Sequence, residues 1–418
     1  MSSRLLHFCL VLLVSGSGQG ADNEWTRFRG PNGSGIGAIS SLPAEISRAD
    51  YEWINRIDGV GHSSPVLWGD QLYITVSDRK KKELRVECYQ SSTGSILWTW
   101  KESQTPYGLH QHNSFASSTP TTDASGVYLS WGSGTETIVV ALDHQGKPRW
   151  RQTRPAFTSD HGFGASPILV GGHLILHTDS TEQRTSQVFA LDTANGEELW
   201  RLDRPTEDPE AKHRTAYSTP VSLGSGDTEQ LIVLQTNDGW RGLAPATGET
   251  LWRHQGNYDA RSVGSIASDG EHLFASFGSG GAGKDASLLK LSESGEPLEV
   301  KRFGIADGLG YVPTPIFHDG HLYLWADGGI LTCRIAATGE EVFRERIGGN
   351  FFSSPIVADG KIYCGSRDGE FIAVSASPEF EELGRSRFES GFNATPAIAN
   401  GRLFLRTDTH LISVRGGK

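Results

Sequence analysis

Cysteine, methionine, basic charge and helical periodicity are all scarce in this chain. Its 418 residues include four cysteines and one methionine. Cys9 falls in an apolar N-terminal run, while Cys88, Cys333 and Cys364 stand far apart in strand-like surroundings. None has the Cys-x-x-Cys spacing of a zinc or dithiol site, and no Cys-x-x-Cys-His haem attachment occurs. The three later cysteines are expected as buried free thiols. Beyond residue 20 no run approaches the ~18 apolar residues of a membrane-spanning helix. Lys and Arg number 38 against 49 Asp and Glu, a net charge of −11. That balance argues against nucleic acid and anionic membrane surfaces as partners. No nucleophile elbow, zinc helix, Walker loop or dinucleotide fingerprint is present. The glycine-rich stretch Gly278 to Lys284 lacks a Ser or Thr after its lysine and lacks a following helix, so it reads as a flexible hairpin loop. No segment repeats apolar residues with the helical period.

What the chain does have is a long repeat. Trp98, Trp150, Trp200 and Trp252 lie 52, 50 and 52 residues apart, each four residues after a glycine: Gly94, Gly146, Gly196 and Gly248. Gly339 and Phe343 continue the frame, and after Gly295 the aromatic place falls to Glu299. A second ladder runs beside it. Ser/Thr-Pro steps end at Pro65, Pro120, Pro167, Pro220, Pro315, Pro355 and Pro396, with Gly264-Ser265 filling the one gap. Tight-turn dipeptides such as Asp319-Gly320, Asp359-Gly360 and Asn400-Gly401 often follow, then alternating runs such as Leu322 to Trp325. These are turns that tolerate positive φ, joined to strands of period two.

Each unit therefore reads as four antiparallel strands, and the steps count eight units. Such units cannot bury both faces alone, so they stack, and a ring removes the exposed ends. The fold expected is all-β: an eight-bladed β-propeller. The last unit has room for three strands, and Tyr51 to Arg56 supplies a fourth, because Trp53 precedes Pro65 by the same 12 residues that separate Phe343 from Pro355. The ring is thus expected to close by pairing the two chain ends. Trp53, Trp98, Trp150, Trp200, Trp252 and Phe343 are read as structural, docking blade on blade.

Residues 1–20 have a basic start, an apolar core from Leu5 to Val14 and small residues up to Gly20, the pattern of a cleaved secretory signal. No lipid-accepting cysteine follows the core. A soluble protein of the periplasm or exterior is expected, its net charge becoming −12 once Arg4 is gone. Residues 21–49 form a Gly/Pro-rich lead-in and residues 50–418 the propeller. The lead-in, with Trp25, Arg27, Phe28 and Arg29, is a strap over part of the ring or, alternatively, a site where Arg27 and Arg29 meet an anionic partner.

The units resemble the pyrroloquinoline-quinone-like repeat family, whose pattern is Ala-x-Asp-x-x-Thr-Gly-x-x-x-Trp. Ala190 to Trp200, Ala141 to Trp150, Pro245 to Trp252 and Ser92 to Trp98 carry the resemblance. It implies two kinds of function. Quinoprotein dehydrogenases of this fold hold a calcium-bound quinone with a carboxylate and amide set, usually under a disulfide between adjacent cysteines. No two cysteines are adjacent here, and no calcium set or base can be placed. A relative of similar length is the scaffold subunit of the outer-membrane β-barrel assembly machinery, which has no chemistry of its own.

Segments entering each inner strand converge on one mouth of a propeller's channel. Here they bring His62, Asn113, His161, Arg214, Tyr217, Arg261, Tyr311, Asn350 and Asn393. These residues are the expected ligand-binding set; the alternative is that they simply close the channel end. No catalytic residue is assigned. His110 and His112 could share a metal if they lay on a strand, but they sit in a loop with no third ligand, so no metal site is expected. The function expected is a binding or scaffolding module for envelope or secreted proteins, or for a small ligand, with no cofactor of its own. A divergent dehydrogenase using pyrroloquinoline quinone with calcium, and a carbohydrate or peptide receptor, are the alternatives.

Overall fold

The computed structural model describes residues 24–159, 161–205, 215–256, 258 and 260–417. The signal-like segment, Cys9 and Arg214 lie outside these residues. Eight four-stranded antiparallel sheets follow one another along the chain. Blades 1 to 8 occupy residues 66–103, 121–155, 168–205, 221–254, 267–304, 316–346, 356–387 and 397–415, the last completed by Tyr51–Arg56. That strand pairs antiparallel with His410–Arg415, placing Trp53 opposite Ser413 and Arg56 opposite His410. The ring is closed between the two ends of the chain, as the spacing predicts.

The inner two strands of each blade are buried almost throughout, and the outermost strand alternates buried with exposed. This follows from geometry: inner strands have neighbouring blades on both faces, while the rim meets water on one side. Each rim strand carries a bulge at the same place. Ala190 pairs with Trp200 and Leu191 with Glu198, so Leu199 is pushed outward and is 46 % exposed. Leu251 repeats this in blade 4. The bulge rotates the tryptophan toward the next blade.

Trp53, Trp98, Trp150 and Trp200 each meet the glycine of the unit that follows, whereas the Trp252 ring lies over Gly242 of its own blade and Gly295 faces Gln230. A Cβ on Gly146 would come within 2.6 Å of the Trp98 ring, and the same holds for Gly196 against Trp150. The indole N–H groups of Trp53, Trp98, Trp150 and Trp200 donate to the carbonyls of Ser91, His144, Thr193 and Pro245, each in the next blade, at 2.8–2.9 Å. Trp252 differs, donating to Gln230 Oε1 of its own blade at 2.6 Å. Phe343 packs on Phe380 of blade 7, with centroids 5.6 Å apart.

Two expectations need correction. Glu299 does not hold the docking position of blade 5. The hairpin there runs two residue pairs further before turning, so Lys301 pairs with Leu288 where Trp200 pairs with Ala190. The Lys301 stem lies under Gly339, and its ammonium donates to the Gly339 carbonyl at 3.2 Å. Glu299 instead faces His254, 3.6 Å away. Nor is Gly278 to Lys284 a loop. Strands His272–Ser279 and Ala282–Leu291 run through it, leaving a two-residue turn at Gly280 and Gly281, where φ is 66° and 77°. Two successive positive φ values of this kind suit a hairpin turn that glycine reaches without strain.

The lead-in is a strap across the inner strands. Trp25 bridges to Leu67 of blade 1, the Thr26 carbonyl accepts from Thr122 N–H of blade 2, and Ile36 bridges to Val357 of blade 7. Arg27 and Arg29 are buried and donate to backbone carbonyls, Arg27 to Pro220 at 2.6 Å and Arg29 to Thr314 at 2.5 Å. Burial draws both guanidiniums below the ordinary arginine value, to about 9. They are fasteners of the strap, so the anionic-partner reading of these two residues falls away. Cys88, Cys333 and Cys364 are free and buried in blades 1, 6 and 7.

Candidate functional site

The site begins with the Ser/Thr-Pro steps. Seven of the eight steps make the same contact: the backbone N–H of one blade's Ser or Thr donates to the hydroxyl of its counterpart in the next. The chain of donors runs from Ser64 to Thr119, Thr119 to Ser166, Thr219 to Ser265, Ser265 to Thr314, Thr314 to Ser354, Ser354 to Thr395, and Thr395 back to Ser64, at 2.9–3.1 Å. Ser265, expected in the proline's place, instead occupies the hydroxyl's and keeps the contact, and Ile266 stands where the other steps have proline. The eight residues are 1–6 % exposed and form a girdle around the propeller axis. The proline after seven of them removes a backbone donor and fixes φ at the entry of the strand.

Above the girdle opens a cavity of about 610 Å³. All eight girdle residues line it, with Phe28 of the strap and the loops that enter each inner strand. His62, Asn113, His161, Tyr217, Arg261, Tyr311, Asn350 and Asn393 all lie in its wall. The sequence reading thus brings together one surface from eight separate loops.

Their chemistry is uneven. Asn113 is spent on the scaffold, its amide donating to the carbonyls of His161 and Phe163 at 2.6 and 3.0 Å. The Tyr217 hydroxyl shares a 2.5 Å hydrogen bond with Ser159. Asn350 and Asn393 donate to Asp368 and Asp408 at 3.3 and 2.7 Å. Arg261 is anchored through its backbone to Gly278, and its Nε has no hydrogen-bond partner. Burial, and then the nearby Arg406, Arg367 and His112, pull His62 down to about 4.

Several lining residues were not in the expected set. Arg367, from the hairpin turn of blade 7, lies over the Phe352 ring at 4.3 Å and its guanidinium reaches His112 Nδ1 at 3.0 Å. Burial, then Arg367 and His110, lower the His112 pKa. His110 stacks on His161 with centroids 4.9 Å apart, so the His-x-His pair joins the cavity wall. Asp327 is the carboxylate among the described lining residues. Tyr311 N–H donates to it at 2.6 Å and Val312 N–H at 3.2 Å, while burial holds its pKa up near 6. Arg367 and Asp327 sit in turns inside a blade, whereas the sequence reading followed the loops between blades; the turn signals at Asp368-Gly369 and Asp327-Gly328 were the available clue. Among the described residues no three His, Cys, Asp or Glu side chains gather as metal ligands.

The family model described as outer membrane protein assembly factor BamB matches residues 81–287 and 292–378, and the chain belongs to that family. No curated protein sequence matches it. Solved structures similar to it include BamB from Moraxella catarrhalis, at 17 % identity over 89 % of this chain and 100 % of that one, with a TM-score of 0.61. A europium-containing methanol dehydrogenase shares 13 % identity over 92 % and 89 %, with a TM-score of 0.67. The quinohemoprotein alcohol dehydrogenase from Comamonas testosteroni shares 15 % over 95 % and 81 %, with a TM-score of 0.66. At these identities the structural likeness speaks for the fold and not for the activity.

Proposed function

We propose that this member of the family is a binding module without chemistry of its own, receiving a ligand or a loop of a partner at the cavity mouth. The observation that carries the reading is the composition of the wall. Hydroxyl, guanidinium, imidazole and aromatic groups surround about 610 Å³, a size suited to a small molecule or a few residues of peptide. Residues 1–20 support a place outside the cytoplasm, with envelope or secreted proteins as partners. Among the described residues no helix is long and apolar enough to cross a membrane.

The quinone reading fits the residues poorly. A calcium ion beside a quinone needs several converging oxygen ligands. Asp327 is the carboxylate among the described lining residues, and it faces two backbone N–H groups. The three described cysteines, Cys88, Cys333 and Cys364, are free and stand in three different blades. Calorimetric titration of pyrroloquinoline quinone with calcium into the purified chain is the test. Absence of heat at high protein concentration agrees with the binding-module reading. Saturable one-site binding would replace it with the oxidoreductase, and alcohol oxidation with an artificial electron acceptor would then be assayed.

A further inference from the structure

The cavity wall carries hydrogen-bond donors that the protein leaves unspent. Each girdle hydroxyl has one hydrogen to give. Among the described residues none of the eight gives it to another group, although seven accept a backbone N–H. The Thr219 hydroxyl neither donates nor accepts among the described residues. Above this ring, Arg261 and Arg367 form no ion pair with a carboxylate among the described residues, and the Nε of each is buried without a hydrogen-bond partner. Acceptors are present too, in the amide oxygens of Gln111, Asn350 and Asn393, while Asp327 is turned to the N–H groups of Tyr311 and Val312 and His112 Nδ1 is taken by Arg367. A wall that sets two guanidiniums beside a circle of unspent hydroxyl hydrogens suits a ligand rich in acceptor oxygens. Two cations without counter-charges among the described residues, in a protein of net charge −11, add an attraction for negative charge at this one mouth.

We propose that the cavity binds a small organic oxyanion, its charged group taken by Arg261 and Arg367 and its remaining oxygens by the girdle hydroxyls. This rests on the cavity being a binding site and names what it binds. Phe28 and Phe352 add aromatic surface for a ring or carbon skeleton. A sugar acid combines the required parts: one carboxylate, several further oxygens and an apolar ring face.

The test uses glucuronate, glucose, inorganic phosphate and sulfate as probes, titrated calorimetrically into the full chain at low salt. Glucuronate is expected to bind, glucose at least about tenfold more weakly, and added salt to weaken the anion selectively. Arg261→Gln and Arg367→Gln are each expected to weaken glucuronate by about tenfold or more, the usual weight of a charge-assisted hydrogen bond. Thr219→Val removes a hydroxyl without a partner among the described residues, so the melting temperature is expected to stay near the parent's while affinity falls severalfold. Melting curves of each variant separate lost binding from lost structure. Phosphate or sulfate binding without glucuronate would support the oxyanion and locate the charged group without a sugar. Glucose binding as well as glucuronate, untouched by either Arg variant, would overturn the oxyanion while keeping the mouth as a binding site. Silence from all four probes would overturn the inference, and the quinone titration would still stand as the separate test of the broader reading.

Discussion

If the tryptophans are rivets between blades, their packing should outweigh their hydrogen bond, and Trp150 lets the two be separated. Its ring is 8 % exposed, lies 6.0 Å from Tyr128 and fills the space under Gly196 in blade 3. Its N–H donates to the Thr193 carbonyl at 2.9 Å. Trp150→Ala removes both and opens a cavity between blades 2 and 3, for which large-to-small aromatic truncations cost about 3–5 kcal/mol. Trp150→Phe keeps most of the apolar contact and loses the N–H, a cost of about 1 kcal/mol for a partly exposed acceptor. Urea unfolding followed by far-ultraviolet circular dichroism reads both as changes in midpoint, provided the slope is unchanged. Trp252→Phe is the control, because its N–H serves Gln230 of its own blade and no tie to blade 5 is cut. The reasoning fails if the phenylalanine variant of Trp150 is as destabilised as the alanine variant, or if alanine costs less than about 1 kcal/mol.

Two further outcomes are expected. Gly384 occupies the docking position of blade 7, and a Cβ there would lie 2.6 Å from Glu45 Cγ and 2.7 Å from Ala44 of the strap. Gly384→Leu should therefore lift the strap off that blade, break the 2.6 Å bond from Ile46 N–H to Ser386, and cost about 1–3 kcal/mol, with limited proteolysis cutting between residues 40 and 50 sooner than in the parent. Asp327 has a folded pKa near 6, raised by burial from 3.8. A carboxyl raised in this way stabilises fully below pH 4 and loses that contribution as pH climbs through 6, about 3 kcal/mol in all. Asp327→Asn should abolish this loss, so the variant gains on the parent between pH 4 and 7 in urea midpoints; an unchanged difference across that range would contradict the burial argument.

The blade count, the ring closure and the channel-mouth residues were legible because they depend on spacing. A repeat records the same contact several times, so the pattern survives the loss of any one copy, as it does at Ser265. Departures from the repeat were less legible. Glu299 was misplaced because a fixed offset from Gly295 assumes a hairpin of constant length, and blade 5 lengthens it by two pairs. Gly384 carries no motif; what fills its slot is the strap, which is distant in sequence. Gly278 to Lys284 looked like a loop because glycine is depleted in strands. Here Tyr311 and Leu309 pack where side chains on Gly278 and Gly283 would stand. Arg214, outside the described residues, stays an expectation.

The Ser/Thr-Pro step shows most clearly what a sequence pattern withholds. It was visible as the opening of each strand, and proline after a small hydroxyl residue is an ordinary way to enter one. Its second role depends on a partner 40 to 55 residues along the chain, as between Thr314 and Ser354 or Ser64 and Thr119, or 331 residues away at the seam between Thr395 and Ser64. The hydroxyl accepts a neighbouring blade's N–H, which ties the inner edge of the ring as the tryptophans tie its outer edge. An accepting hydroxyl still has its hydrogen, so the seven that tie neighbouring blades, together with Thr219, leave a circle of donors facing the axis. Alanine at these positions would remove both at once. Valine in place of Thr219, where the structural bond is missing, removes only the donor. That position is where architecture and binding can be separated by a single substitution.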